Sequence, residues 1–123
     1  MIEKALQSKT ESLSNGAKVY PLAAPEGEKT PYIVYARSGT DRLPTLTEQG
    51  AHKTSFQLTI AEKSYSKMVE LRKTIREGLE FQTGVFKPGT PEVQNLLIEN
   101  EDEMYDPETK EYIGILDILI IYN

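Results

Sequence analysis

The stretch Tyr112–Tyr122 reads YIGILDILIIY, and both of its faces are apolar. In an extended strand successive side chains point to opposite sides. Tyr112, Gly114, Leu116, Ile118, Ile120 and Tyr122 therefore share one face, and Ile113, Ile115, Asp117, Leu119 and Ile121 share the other. An antiparallel sheet in a small protein commonly keeps one face on the core and one in water. This strand asks for two covers, so the rest of the chain has to be read for what it supplies.

With 123 residues the chain has the length of one domain, 1–123. Hydrophobic residues make up 38% and charged residues 27%, as in an ordinary soluble globular protein. No run approaches the roughly eighteen apolar residues that cross a bilayer, so no membrane contact is expected. The opening MIEKALQSKTESL lacks an apolar core segment and reads as no secretory signal. With no cysteine there is no disulfide, thiolate ligand or thiol nucleophile. The net charge is −5, and lysine and arginine are spread along the chain. A nucleic-acid reader gathers them into a patch, so sequence-specific DNA binding is not expected.

Ile2, Ala5, Leu6 and Leu13 recur at helical spacing and predict a short helix over 2–13, stopped by Asn15-Gly16. Val19, Tyr20 and Leu22 read as extended, with Pro21 marking a strand edge or end. A polar loop runs from Pro25 to Pro31, and Tyr32–Tyr35 is rich in the β-branched and aromatic residues of a strand. Gly39, Pro44 and Gly50 punctuate residues 38–51, which read as a long loop. Phe56, Leu58 and Ile60 then alternate with polar residues, the pattern of a half-buried strand. After Ser64, a candidate cap, Tyr65, Met68, Leu71, Ile75 and Leu79 form one stripe of a long amphipathic helix, its last turn weakened by Gly78. Phe86–Glu92 is a turn-rich connector. Val93–Ile98 reads as a strand running into an acidic segment, an Asp106-Pro107 turn and the closing strand. The expected fold is α+β: a mostly antiparallel sheet, one long amphipathic helix packed on one face, and a short N-terminal helix.

Catalytic chemistry is hard to find. His52 is the single histidine, with no orienting partner nearby in sequence, and reads as a solvated loop residue. There is no nucleophile elbow, P-loop or dinucleotide fingerprint, so no catalytic residue and no cofactor is expected. Glu99, Glu101 and Glu103 share one face of an extended segment with Asp102 on the other, and Asp106, Glu108 and Glu111 follow around the turn. Carboxylates in such numbers bind hard cations, but the EF-hand pattern and its glycine are missing, and a catalytic carboxyl of raised pKa needs burial. The segment reads as a wet hairpin whose charges keep a sheet edge from pairing with other sheets, with no metal expected. Tyrosine outnumbers phenylalanine seven to three. It suits half-buried sheet positions and also interfaces.

The helix over 65–79 can roof one face of the closing strand. The N-terminal helix is less apolar, so Ile113, Ile115, Leu119 and Ile121 lack an evident lid. Full burial of such a side chain is worth about 1.5–3 kcal/mol, and an exposed patch of them marks an interaction surface. A second copy of the chain is the economical cover; the N-terminal helix together with the 38–51 loop is the alternative. Asp117, on the same face, needs a polar partner if buried.

The segment Val19–Gly39 resembles the start of the tail completion proteins of long-tailed bacteriophages. The likeness lies in Val19-Tyr20-Pro21, in Ala24-Pro25-Glu26-Gly27 and in Pro31-Tyr32-Ile33-Val34-Tyr35, followed by a strand, a helix and a long closing hairpin. Tail completion and tail terminator proteins are structural, and the resemblance implies a ring oligomer, a hexamer, at the head-proximal end of the tail. Such a ring terminates the tail tube and joins tail to head. The partners implied are further copies, the tail tube protein and a head-connector protein, with DNA passing through unread. The implied location is the virion, at the head–tail junction, after synthesis in the bacterial host cytoplasm. Under this resemblance Ile113, Ile115, Leu119 and Ile121 become a subunit interface. Glu99, Glu101, Asp102, Glu103 and Asp106 line the lumen or face a partner. Two other readings of the residues stay open: a small adaptor or inhibitor that binds a protein through the acidic hairpin, and a metal-dependent enzyme using the same carboxylates.

Overall fold

A computed structural model describes residues 1–14, 16–43 and 51–123, with the backbone alone for 39–43 and 51. The elements run α1 (Ile2–Leu13), β1 (Lys18–Pro21), β2 (Tyr32–Leu43), β3 (Ala51–Glu62), α2 (Tyr65–Leu79), β4 (Gly84–Val85), β5 (Glu92–Asp106) and β6 (Glu111–Tyr122). The strands form one six-stranded sheet in the order β1-β2-β3-β6-β5-β4. The α+β class holds, with two helices of 12 and 15 residues, so neither is long beside the other. The sheet is mixed: β1 pairs parallel to β2, and the remaining neighbours pair antiparallel.

Two helix stripes and one sheet face make the core. Register places Ile33 opposite Ile60, Tyr35 opposite Leu58, and Phe56, Leu58 and Ile60 opposite Ile118, Leu116 and Gly114. These residues share a face with Leu96 of β5 and are buried with Ile2, Ala5 and Leu6 of α1 and Ile75 and Leu79 of α2. Both helices therefore lie on the same side of the sheet. Close approach sets their seats. A Cβ added at Gly114 would lie 2.6 Å from Met68 Sδ, so this strand position has to be bare for α2 to settle on β6. A Cβ at Gly78 would lie 2.4 Å from Leu13 Cδ2. Gly78, expected only to weaken the last turn of α2, is where α1 crosses it.

Three segments depart from the sequence reading. Residues 38–43, expected within a loop, continue β2 past a bulge between Arg37 and Gly39. Residues 44–50, the rest of that expected loop, lie outside the described residues. Within the Phe86–Glu92 connector's neighbourhood, Gly84–Val85 forms a two-residue strand, β4. The largest departure is β5, which does not stop at Ile98 but runs through the acidic segment to Asp106, paired along its length with β6. Its register jumps between Val93 and Asn95 and again between Ile98 and Asn100. Gln94 and Glu99 are the extra residues, and each exchanges which of the following side chains point to the helices.

Candidate functional site

The surface left by this layering is the outer face of the sheet. On β6 it carries Ile113, Ile115, Asp117, Leu119 and Ile121, all half-buried. Neighbouring strands flank them: Ala61, Thr59, Gln57 and Ser55 on β3, and Met104, Asp102, Asn100 and Leu97 on β5. No described helix lies over them, because α1 and α2 occupy the opposite face. Asp117, in the middle of this strip, accepts from Gln57 Nε2 at 3.3 Å and Asn100 Nδ2 at 3.4 Å. The two amides fix a carboxylate within an otherwise apolar stripe.

The acidic hairpin divides between the two faces. Glu101 and Glu103 point toward α2. Arg72 Nε lies 3.3 Å from Glu101, and Arg72 Nη2 lies 3.0 Å from Glu103. Arg72 Nη1 also donates to the Asp102 carbonyl at 2.8 Å. Arg76 Nε approaches Glu101 at 3.4 Å as an ion pair without hydrogen-bond geometry. Tyr65 donates its hydroxyl to Glu103 at 2.5 Å. That bond first, and then Arg72, hold the Glu103 carboxyl below the usual carboxylate range, while the same bond pushes the Tyr65 hydroxyl up. Asp102 projects to the outer face and is exposed, as is Glu99 at the bulge. Asp106 opens the turn and accepts the Glu108 N–H at 3.0 Å. The expectation that Glu99, Glu101 and Glu103 share one face gives way to the bulge at Glu99, and two of the predicted partner-facing carboxylates are occupied by arginines of their own chain. Sequence spacing had no means of showing that Arg72 and Arg76 sit above them.

Tyrosines clasp the ends of the sheet. Tyr32 donates to Glu111 at 3.0 Å, and burial together with that carboxylate pushes its hydroxyl up to about 12. Tyr20 donates its hydroxyl to Glu28, which raises Tyr20 and lowers Glu28. Tyr65, Tyr105 and Tyr112 form a cluster with centroids 5.6 Å and 4.9 Å apart at the hairpin. His52, expected in a solvated loop, lies on β3 with its ring stacked on Tyr122 at 5.5 Å and Nδ1 buried without a hydrogen-bond partner. Among the described residues no group of three or more histidine, aspartate or glutamate side chains is placed to hold a metal. No described helix is long and apolar enough to cross a membrane. An open groove of about 440 Å³ runs between the end of α1 and α2 over Glu62, Lys67 and Thr74, and the Ser12 and Ser14 hydroxyls that line it donate to backbone carbonyls.

Two features had no signal in the sequence. Leu22, after β1, and Phe81, before β4, hold positive φ values of 65° and 62° with their side chains exposed.

No curated protein matches the chain. Among solved structures, the fold is similar to a chain of the virion of a native gene transfer agent particle. The TM-score is 0.67 at 9% identity, over 99% of this chain and 95% of that one. The family model for tail completion protein gp17 matches residues 2–123, nearly the whole chain. The chain therefore belongs to the tail completion protein gp17 family: it is a structural protein of the phage tail and a component of the virion.

Proposed function

We propose that copies of this chain close into a ring, a hexamer, at the head-proximal end of the tail, where the ring terminates the tail tube and joins tail to head. The other partners are the tail tube protein and a head-connector protein, and DNA passes through without being read. One observation carries the reading: both helices cover the same face of the sheet, so Ile113, Ile115, Leu119 and Ile121 are roofed by no described element of their own chain. A patch of this kind is what a partner surface covers, and further copies are the partner always at hand. Family membership supports the location and a non-enzymatic role. The alternative, an adaptor binding through its acidic hairpin, is weaker because Arg72 and Arg76 already engage Glu101 and Glu103.

Light scattering with negative-stain imaging of the full chain tests it. A closed ring is expected, free or on tail tubes. Ile115→Asp with Leu119→Asp should weaken assembly at least tenfold, since each buried aliphatic is worth about 1.5–3 kcal/mol and each 1.4 kcal/mol is tenfold. A wild-type chain that stays monomeric and caps no tubes would overturn the reading.

A further inference from the structure

Leu22 is 78% exposed and Phe81 66% exposed, and both are held at positive φ. Side-chained residues avoid that region, and bulky ones most of all. Each is pinned there by its own backbone. The Leu22 N–H donates to the Tyr35 carbonyl at 2.8 Å, and the Phe81 N–H to the Leu96 carbonyl at 2.7 Å. The fold thus spends backbone strain to present a bare apolar side chain at two places, and such strain is a reason to look for a function.

Those places are opposite borders of one sheet. Leu22 adjoins β1 and Phe81 adjoins β4, the two edge strands. Beside Phe81, Val85 is 56% exposed. Both edge strands are short. Among the described residues β1 flanks only Tyr32–Tyr35 of β2, and β4 flanks only Glu92 and Val93 of β5. Beyond these positions no described strand pairs with that edge of β2 or of β5. The borders also differ in charge. The β4–β5 side shows Glu80, Glu99 and Asp102. Exposed Glu92 and Lys87 lie on that side too, whereas the β1–β2 side is mixed: Lys18, Lys29 and Arg37 stand with Glu26 and Glu28, Arg37 pairs with Glu3, and the Tyr20 hydroxyl and Lys18 favour the charged form of Glu28.

We infer that these borders are the two halves of one contact between copies: the β1–β2 border of one chain, led by Leu22, seats on the β4–β5 border of the next around Phe81 and Val85. Because the halves are different surfaces, the contact is head-to-tail, the kind that closes into a ring by rotation. A copy seated there also reaches Leu97 on β5 and Leu119 one strand further in, about 5 Å away, so the contact is continuous with the apolar outer face. The inference rests on the self-association proposed above and adds its polarity.

The test uses the full chain with Leu22→Asn and, separately, Phe81→Asn, since asparagine tolerates positive φ. Melting curves like the wild type's at low protein concentration show that both variants fold, and Leu22→Gly and Phe81→Gly serve as a second pair. In sedimentation velocity each variant alone should assemble at least tenfold more weakly than wild type. An equimolar mixture of the two should form a one-to-one dimer, because one intact contact remains. A variant that assembles like wild type, a variant that dimerises with itself, or a mixture no larger than its components overturns the border assignment while leaving self-association standing. A wild-type chain that never assembles removes both.

Discussion

Thr10 carries a hydroxyl where the packing asks for a methyl: it is fully buried in α1, and its Oγ1 has no hydrogen-bond partner. An unpaired buried hydroxyl costs about 1–3 kcal/mol. Thr10→Val, similar in shape and in helix propensity, should stabilise the chain by about 1 kcal/mol. The measurement is a shift in the urea midpoint at unchanged slope. Tyr32 offers a prediction in pH. Its hydroxyl ionises at about 12 in the folded chain, against about 10 for an unperturbed tyrosine. The folded value is the higher one, so the associated stability is fully present below about pH 10 and is lost as pH rises toward 12. Ultraviolet titration of tyrosinate should show one group near 12 that Tyr32→Phe removes, and the variant's stability should fall less steeply over that window. At this scale the apolar identity of Ile113, Ile115, Leu119 and Ile121 was legible from strict alternation. The backbone angles of Leu22 and Phe81 were not, because hydrogen bonds to Tyr35 and Leu96, distant in sequence, set them. His52 was misread because nearby Gly50 is a turn former, whereas pairing with Tyr122 puts it in the sheet.

Among the elements, α2 was the most legible: Tyr65, Met68, Leu71, Ile75 and Leu79 mark a stripe that only a 3.6-residue period makes, and it spans the expected 65–79. Helix α1 likewise spans 2–13 as expected. Strand β5 was half legible. Its charges from Glu99 to Glu103 argue for water when read alone, and the arginines that pair with Glu101 and Glu103 come from the preceding helix, α2. Its alternation is also broken at Gln94 and Glu99, where an extra residue interrupts the period. The parallel pairing of β1 with β2 is a matter of tertiary arrangement that Val19 and Tyr20 do not encode by themselves. The seat of α2 on the sheet gives the prediction for this scale. Gly114→Ala places a Cβ 2.6 Å from Met68 Sδ in a fully buried site. Overpacking of this kind costs about 1–3 kcal/mol, and the urea midpoint should fall accordingly.

For the whole molecule the main fact is asymmetry between the two faces of one sheet. One is layered with two helices, and no described element covers the other. A chain whose copies bind each other only when folded is stabilised by its own concentration. On the proposed self-association, the melting temperature of this chain should climb by a few degrees for each tenfold increase in protein. The Ile115→Asp, Leu119→Asp variant should show a flat dependence. The two bulges of β5 carry a further consequence. Between Ile98 and Asn100 the strand changes parity, and that change is what turns Glu101, Glu103 and Tyr105 toward α2 and leaves Asp102 and Met104 outside. The hairpin thus has a reading frame. Deleting Glu99 would remove the extra residue and leave every later pairing in place, whereas deleting Asp102 from the paired stretch would throw Glu103 to the outer face and turn Met104 toward the helix; the Pro107–Lys110 turn can change length without touching that phase. Insertions and deletions tolerated along this limb should therefore gather at the tip and at the bulges, and those within the paired stretches should come as matched pairs that restore the count.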